Sequence, residues 1–377
     1  MSDLDSSSFL ESVNYEGKDE TVKLSPNEKK VLVGLLRYPS KKDTEICSIL
    51  EMRKSTFSTI KSRLEEQKLF NRIALPGFPK IGAELFSLSL ARLSLRLNSE
   101  ERLEYLQEVL KLFREDVFAL GEAENVMLFS ISKNFTDFDR NNQLLAQTGS
   151  EKNIFLRTAL SYLVFPFETT QFVRFFSYAP LISNLFNIGN PADEDSDKKI
   201  EDDSLLYEED QHVLKMSQTE KKVFNGLLEF PDKSNRALAE EINVSKNTLA
   251  TIKKKYLEEQ LILPRIVPNL TKLGIKLMIL FHGSFHSGTT ISQRQKGIKK
   301  VDETLKPILL LVKDLEFLIL YATRNFEDYH AQITEVLHYF SELSLVSEHK
   351  VTFFSLPHAK ILKDHEYLPL VEKLLSK

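Results

Sequence analysis

The sequence predicts an α+β chain in which one pattern, three short helices followed by β-α-β-β-α-β, runs twice in tandem. Three observations carry that reading. "SPNEKKVLVGLLRYP" at 25–39 matches "SQTEKKVFNGLLEFP" at 217–231, an offset of 192 that holds without a gap to Ile60 and Ile252. Between the halves, 191–210 holds ten acids against two lysines. Charge this dense, with few apolar residues, reads as a solvated linker. And "LFSLSLARLSLRL" alternates apolar and polar residues over its whole length, the clearest strand signal in the chain.

The elements follow in order. In the second half, helices are expected at 218–229, 235–242 and 246–260, from apolar spacing at Val223, Leu227 and Leu228, at Leu238 and Ile242, and at Leu249, Ile252 and Tyr256. Pro39 and Pro231 end the first helix of each half. Ser245 stands where a side chain can cap the third helix, and Arg53 takes that place in the first half. "LFNRIALP" and "ILPRIVP" read as short β pieces, consistent with a wing hairpin. "RLEEQ" and "YLEEQ" align after a one-residue insertion. In the first half, strands are expected at 85–95, 117–120, 125–132 and within 160–167, with helices at 99–114 and within 135–147. In the second half, strands are expected at 277–285, 308–312, 317–323 and 350–354, with helices at 292–305 and 326–344. This is the split β-α-β arrangement of a ferredoxin-like domain.

Composition narrows the class. The chain has 377 residues, net charge −4, 26 Phe, 12 Gly and no Trp, which fits a soluble multidomain protein and disfavours a Gly-rich nucleotide-binding enzyme. No apolar run reaches the roughly 18–20 residues that span a bilayer. The acidic start lacks the regions of a signal peptide, and the single Cys47 excludes an intramolecular disulfide. Together these place the protein in the cytoplasm, off the membrane.

Three helices and a wing make a winged helix-turn-helix, whose third helix packs one face inward and offers the other to a DNA groove. With Leu249, Ile252 and Tyr256 inward, Lys246, Asn247, Ala250, Thr251, Lys253 and Lys254 face solvent. With Phe57, Ile60 and Leu64 inward, Lys54, Ser55, Ser58, Thr59, Lys61 and Arg63 do so. Lysines and arginines would neutralise phosphates, and Asn247 would pair with an adenine edge. Arg72 and Arg265, at the wings, would touch phosphate. Local charge agrees: 24–82 holds twelve Lys/Arg against six Asp/Glu, and 216–274 holds ten against seven.

On "SQTEKKVFNGLLEFPDKSNRALAEEINVSKNTLATIKKKYLEEQLI", then "RIVPNLTKLG" and the split β-α-β pattern, each half resembles the archaeal Lrp/AsnC-like transcription regulators. The resemblance implies an N-terminal winged helix-turn-helix joined to a ferredoxin-like (RAM or ACT-like) domain. It divides the chain into an acidic tail (1–23), winged helices at 24–82 and 216–274, ferredoxin-like domains at 83–188 and 275–377, and an acidic linker (189–215). Members assemble through the C-terminal domain, so the chain resembles a dimer made in one piece, a pseudo-dimer or homo-oligomer. Half-sites read by such a dimer lie about 34 Å apart, and the linker spans roughly 25–30 Å. Because Ser55 and Ser58 stand against Asn247 and Ala250, the two half-sites are expected to differ.

The resemblance also raises amino-acid sensing, near "LGEAENVML" and "VKDLEFLIL", but neither has the usual glycine-aspartate turn, and an ordinary β-turn is the simpler reading. His282 and His286 fall in or beside a strand, about 13 Å apart, with no metal implied. Cys47 reads as a small buried residue. No P-loop, GxSxG, HExxH or dinucleotide fingerprint occurs, so no catalysis and no cofactor are expected. "FVRFFSYAPLISNLF" and its counterpart "KILKDHEYLPLVEKLL" are expected to pack each on its own ferredoxin-like domain. The sequence thus implies a transcription regulator on double-stranded DNA. Its rivals are an interaction module for the transcription machinery and a metabolite sensor.

Overall fold

The structure, a computed structural model, describes residues 21–94, 98–155, 161–189 and 213–375. Most of the expected acidic tail, most of the acidic linker and the end of the first expected strand lie outside these residues.

In chain order, α1 (Pro26–Arg37), α2 (Asp43–Ile49) and α3 (Lys54–Glu66) lead into β1 (Phe70–Pro76). Then come β2 (Leu85–Arg92), α4 (Ser99–Leu110), β3 (Asp116–Gly121), β4 (Asn125–Ser132), α5 (Phe135–Glu151), β5 (Ser161–Pro166), β6 (Thr170–Arg174) and α6 (Ala179–Leu185). The order recurs with α7 (Gln218–Glu229), α8 (Asn235–Glu241), α9 (Lys246–Glu258), β7 (Ile262–Pro268), β8 (Leu277–Phe285), α10 (Ile291–Leu305), β9 (Leu309–Lys313), β10 (Glu316–Thr323), α11 (Phe326–Glu342), β11 (Val346–Ser355), β12 (Lys360–Lys363) and α12 (Leu368–Leu375). The fold is α+β with antiparallel sheets.

Local chemistry sets the helix starts. Ser25 and Ser217 each close a capping box with the glutamate three residues on, Glu28 and Glu220, so orphan amides at both ends of the turn are satisfied. Ser245 accepts from the Thr248 amide, while Arg53 makes no side-chain cap. The expected insertion at "LEEQ" is not there. Helices α3 and α9 and strands β1 and β7 all keep the 192 offset, and Leu64 and Tyr256 hold the same buried place. The four matching letters are out of register with the packing.

The described chain falls into two compact units, and their boundaries depart from the domain division read from the sequence. Unit 1 joins Gly82–Pro166 to the segment from Phe354 onward. Its sheet has the order β12-β3-β4-β2-β5. The last four of these follow the split β-α-β order, and β12 adds an edge. Leu103, Leu106 and Leu110 of α4 and Leu145 of α5 pack on Ala91, Val126 and Leu128.

Unit 2 holds Thr21–Ile81 and Phe167–Phe353. Its sheet has the order β11-β8-β10-β9-β6, with Ile298 and Val301 of α10 and Ile333, Val336 and Phe340 of α11 packed on Ile279, Phe281 and Ile319. Here β6, from the first half of the sequence, takes the edge beside β9. In unit 1, β12, from the second half, takes the edge beside β3. The two terminal segments are therefore exchanged, against the expectation that each packs on its own domain. Both donated strands carry a bulge ending at a basic residue. Arg174 makes two bonds to Asp302, at 2.9 and 2.8 Å. Lys363 donates to the Leu110 and Phe113 carbonyls, at 3.3 and 2.8 Å. The aromatic run is interior: Phe172 and Phe175 are buried and, with Phe78 and Phe167, form one ring cluster.

The expected wing hairpins do not form. Instead β1 pairs antiparallel with β7 from Phe70↔Pro268 to Pro76↔Ile262, so one two-stranded ribbon joins the two three-helix modules. Within each module the first two helices approach at a glycine. A Cβ on Gly34 would lie 2.8 Å from Leu50 Cδ1, and one on Gly226 2.7 Å from Ile242 Cγ2. Gly226→Val should therefore cost about 1–3 kcal/mol, read as a lower denaturation midpoint with an unchanged far-ultraviolet spectrum. An unchanged midpoint would show that the helices have slack.

Candidate nucleic-acid interface

Each module positions its third helix by packing and by one ion pair. Phe57 and Leu64 of α3, and Leu249 and Tyr256 of α9, are buried, while Ile60 and Ile252 are half-buried. Tyr256 Oη donates to the Glu220 carbonyl at 3.0 Å. Arg63 pairs with the buried Glu28 carboxylate of the α1 capping box, and Lys255 pairs with Glu220 at 3.0 Å. The Ser217 backbone amide, and after it the Lys255 ammonium, hold the Glu220 carboxyl below its usual range.

The outward faces carry what the sequence placed there. Lys54, Ser55, Ser58 and Thr59 on α3, and Lys246, Asn247, Ala250, Thr251 and Lys254 on α9, are exposed. Neither helix has an acid in its first turn, which they share with α6, α8, α10 and α12, whereas α1, α2, α4, α5, α7 and α11 do have one. An N-terminal turn without a carboxylate favours anions.

Other expected phosphate contacts are engaged inside the protein. Lys61 is half-buried and pairs with Asp43 at 2.8 Å. Arg72 pairs with Glu65 at 3.4 Å and Asp232 at 3.3 Å, and lies over the Phe70 ring. Arg265 donates to the Pro264 carbonyl at 3.4 Å. Lys253 is half-buried and donates to the Asn235 side-chain oxygen at 3.2 Å. Burial lowers its pKa. Lys254 meets Glu258 at 3.6 Å on the surface, a pairing worth little. The partners Glu28, Asp43, Asp232 and Asn235 were missed because an apolar-stripe reading ranks faces by hydrophobicity and ignores carboxylates on neighbouring helices.

Unit 1 holds a second cluster, which the sequence reading did not find. Asp116 is buried, accepts from Ser130 Oγ at 2.6 Å and from the Asn141 amide at 3.4 Å. Burial pushes its pKa up to about 6, against the Ser130 hydrogen bond and the Lys363 charge. Ser87 and Ser89 are buried nearby on β2, where β8 carries Ile279 and Phe281. Among the described residues their hydroxyls and Asp116 Oδ2 have no hydrogen-bond partner. Cys47 is buried. No three His, Cys, Asp or Glu side chains converge as metal donors among the described residues, and no described helix is long and apolar enough to cross a membrane.

A scan against protein-family models gives no match, and neither does a search of curated proteins. Solved structures do match. The siroheme decarboxylase NirDL covers 93% of this chain and 99% of its own, at 10% identity and a TM-score of 0.51. An AsnC family transcriptional regulator from Agrobacterium tumefaciens covers 37% of this chain and 90% of its own, at 15% identity and a TM-score of 0.32. AsnC from E. coli covers 37% and 93%, at 14% identity and a TM-score of 0.29. Lrp/AsnC regulators are thus structural neighbours of about a third of the chain, and the near full-length likeness is to an enzyme. That finding overturns the expectation that the chain is not an enzyme. The expectation rested on missing sequence fingerprints, and a chain can share nearly its whole fold with an enzyme at 10% identity.

Asp116 gives a test of the buried cluster. An unfolded aspartate loses its proton near 3.8 and the folded one near 6. Between those values the folded state binds more protons, so this group's contribution to stability falls as pH rises through that window. Above pH 6, Asp116→Asn should be more stable than the wild type by up to about 3 kcal/mol. Below pH 4 the gain should vanish. Chemical denaturation at pH 4 and pH 7.5 measures both, and a gain independent of pH would mean that Asp116 is ionised in the fold.

Proposed function

We propose that the chain is a transcription regulator that binds double-stranded DNA through its paired three-helix modules. The two halves are copies of one three-helix and ferredoxin-like unit, held in a single-chain pseudo-dimer. The carrying observation is the pair of exposed third helices with acid-free first turns. Lys54, Ser55, Ser58 and Thr59 on one, and Lys246, Asn247, Thr251 and Lys254 on the other, form the contact set. The lysines neutralise phosphates and supply a steep salt dependence. Asn247 reads a base edge. Arg63, exposed at its tip though paired with Glu28, contributes at the margin. Lys61, Arg72, Lys253 and Arg265 support the modules from within rather than touch the duplex.

Selection from a random duplex pool at two salt concentrations tests this directly. The expected product is a bipartite motif with non-identical halves, lost steeply as salt rises. Lys54→Glu with Lys246→Glu should weaken every sequence, and Asn247→Ala should relax one base pair at a cost of about 1–3 kcal/mol. No enriched motif and no salt dependence would end the DNA reading.

A second reading rests on the likeness to NirDL: an enzyme acting on the carboxyl groups of a tetrapyrrole. The buried Asp116 cluster supports it, since a carboxyl with its pKa raised to about 6 exchanges a proton closer to neutrality than an ordinary aspartate does. Incubating the full chain with siroheme under anaerobic conditions, followed by mass spectrometry, decides it. Loss of carboxyl groups that stops in Asp116→Asn supports this reading, and unchanged siroheme rejects it.

A further inference from the structure

A cavity of about 230 Å³ lies in unit 2 where the β1–β7 ribbon meets the helices. Lys41 after α1, Arg72 on β1, Lys253 on α9 and Arg265 on β7 line it, with Pro39 and Pro231 at its wall. No carboxylate is among its lining residues; Arg72, which lines it, also meets Glu65 at 3.4 Å and Asp232 at 3.3 Å. Arg72 and its ladder partner Ile266 lie on one face of the ribbon with Ala74 and Pro264, and all four border the cavity.

The first half of the chain supplies an internal control. The residue 192 positions before Lys253 is Lys61, and the residue 192 positions before Asn235 is Asp43. Lys61 and Asp43 form an ion pair at 2.8 Å. Lys253 has the same place on its helix, but its partner is the neutral Asn235 amide. One acid-to-amide difference leaves a half-buried ammonium without a counter-charge, and it does so beside the cavity. A buried charge is costly unless an opposite charge meets it.

We propose that this cavity binds a small free oxyanion bearing phosphate or clustered carboxylate groups. Lys253 and Arg72 are its principal partners, with Lys41 at the mouth. The volume suits one phosphate group or a small polycarboxylate, and guanidinium with ammonium is the pairing that oxyanions favour. The inference does not depend on the DNA reading, since it concerns a recess behind the exposed helix faces and its test contains no DNA.

The test is calorimetric titration of the full chain with inorganic phosphate and, separately, with citrate, at matched ionic strength in chloride. The wild type should bind at least one of them saturably, one per chain. Asn235→Asp gives Lys253 the internal partner that Lys61 has, at the first position of a helix where a carboxylate is favourable. It should keep or raise the melting temperature and weaken binding at least about tenfold. Arg72→Gln should weaken binding too. Asp43→Asn, which releases Lys61 outside the cavity, should leave the affinity unchanged. Saturable binding lost in Asn235→Asp establishes the site. No saturable heat with either anion, or equal affinity in Asn235→Asp and wild type, overturns it.

Discussion

The organisation of unit 2 depends on the backbone ladder between β1 and β7. Each strand alone is a short piece with unpaired amides and carbonyls along both edges, and an unpaired edge is a liability. Pairing them with each other satisfies one edge of both and fixes a centre of near-twofold symmetry at the Ile73–Arg265 pair. The buried residues of one ribbon face, among them Phe70, Ala74, Ile262 and Ile266, then give the helices of both modules a common floor. The cationic cavity exists because the ribbon brings Arg72 of one strand near Lys253 of the other module.

Charge pairing then sorts the basic residues into two populations. Where a carboxylate sits on a neighbouring helix, as at Glu28 and Asp43, the basic residue becomes part of the scaffold. Where the neighbouring positions are neutral, as around Lys54, Lys246 and Asn247, the side chain stays in solvent. The surfaces of the two modules thus differ both on the third helices, where Ser55 and Ser58 stand against Asn247 and Ala250, and behind them, where Asp43 stands against Asn235.

Much of this was legible in the sequence. The 192-residue recurrence, the alternation of "LFSLSLARLSLRL" and the capping serines located nearly every element, and strands β4 and β8 and helix α7 have the bounds expected. Element identity is a local property, set by periodicity and caps. Many of the misses were choices of partner. The strands at "TQFVR" and "KILK" were not expected, and no turn in the chain dictates which sheet receives them. The wing reading failed for the same reason, since an unpaired strand looks alike whether it folds back or joins its counterpart. The cluster at Asp116 was invisible because its members are separated in sequence: Ser130 meets Asp116 through the β3–β4 ladder, Asn141 reaches it from α5, and Lys363 arrives on the exchanged strand. The exclusion of catalysis failed because it searched for contiguous fingerprints, which a site assembled across a fold need not contain.

The exchanged edge strands also bear on how the chain is made. Synthesis proceeds from the N-terminus, and domains generally fold as units while it does. Unit 1 cannot follow that course. Its β3 edge is closed by Lys360 and Ile361, which leave the ribosome only after all of unit 2 has been translated. During that interval β3 presents open backbone to the cell. Meanwhile β6 is already available and waits for β9. The first sheet to begin forming is therefore the last to be finished.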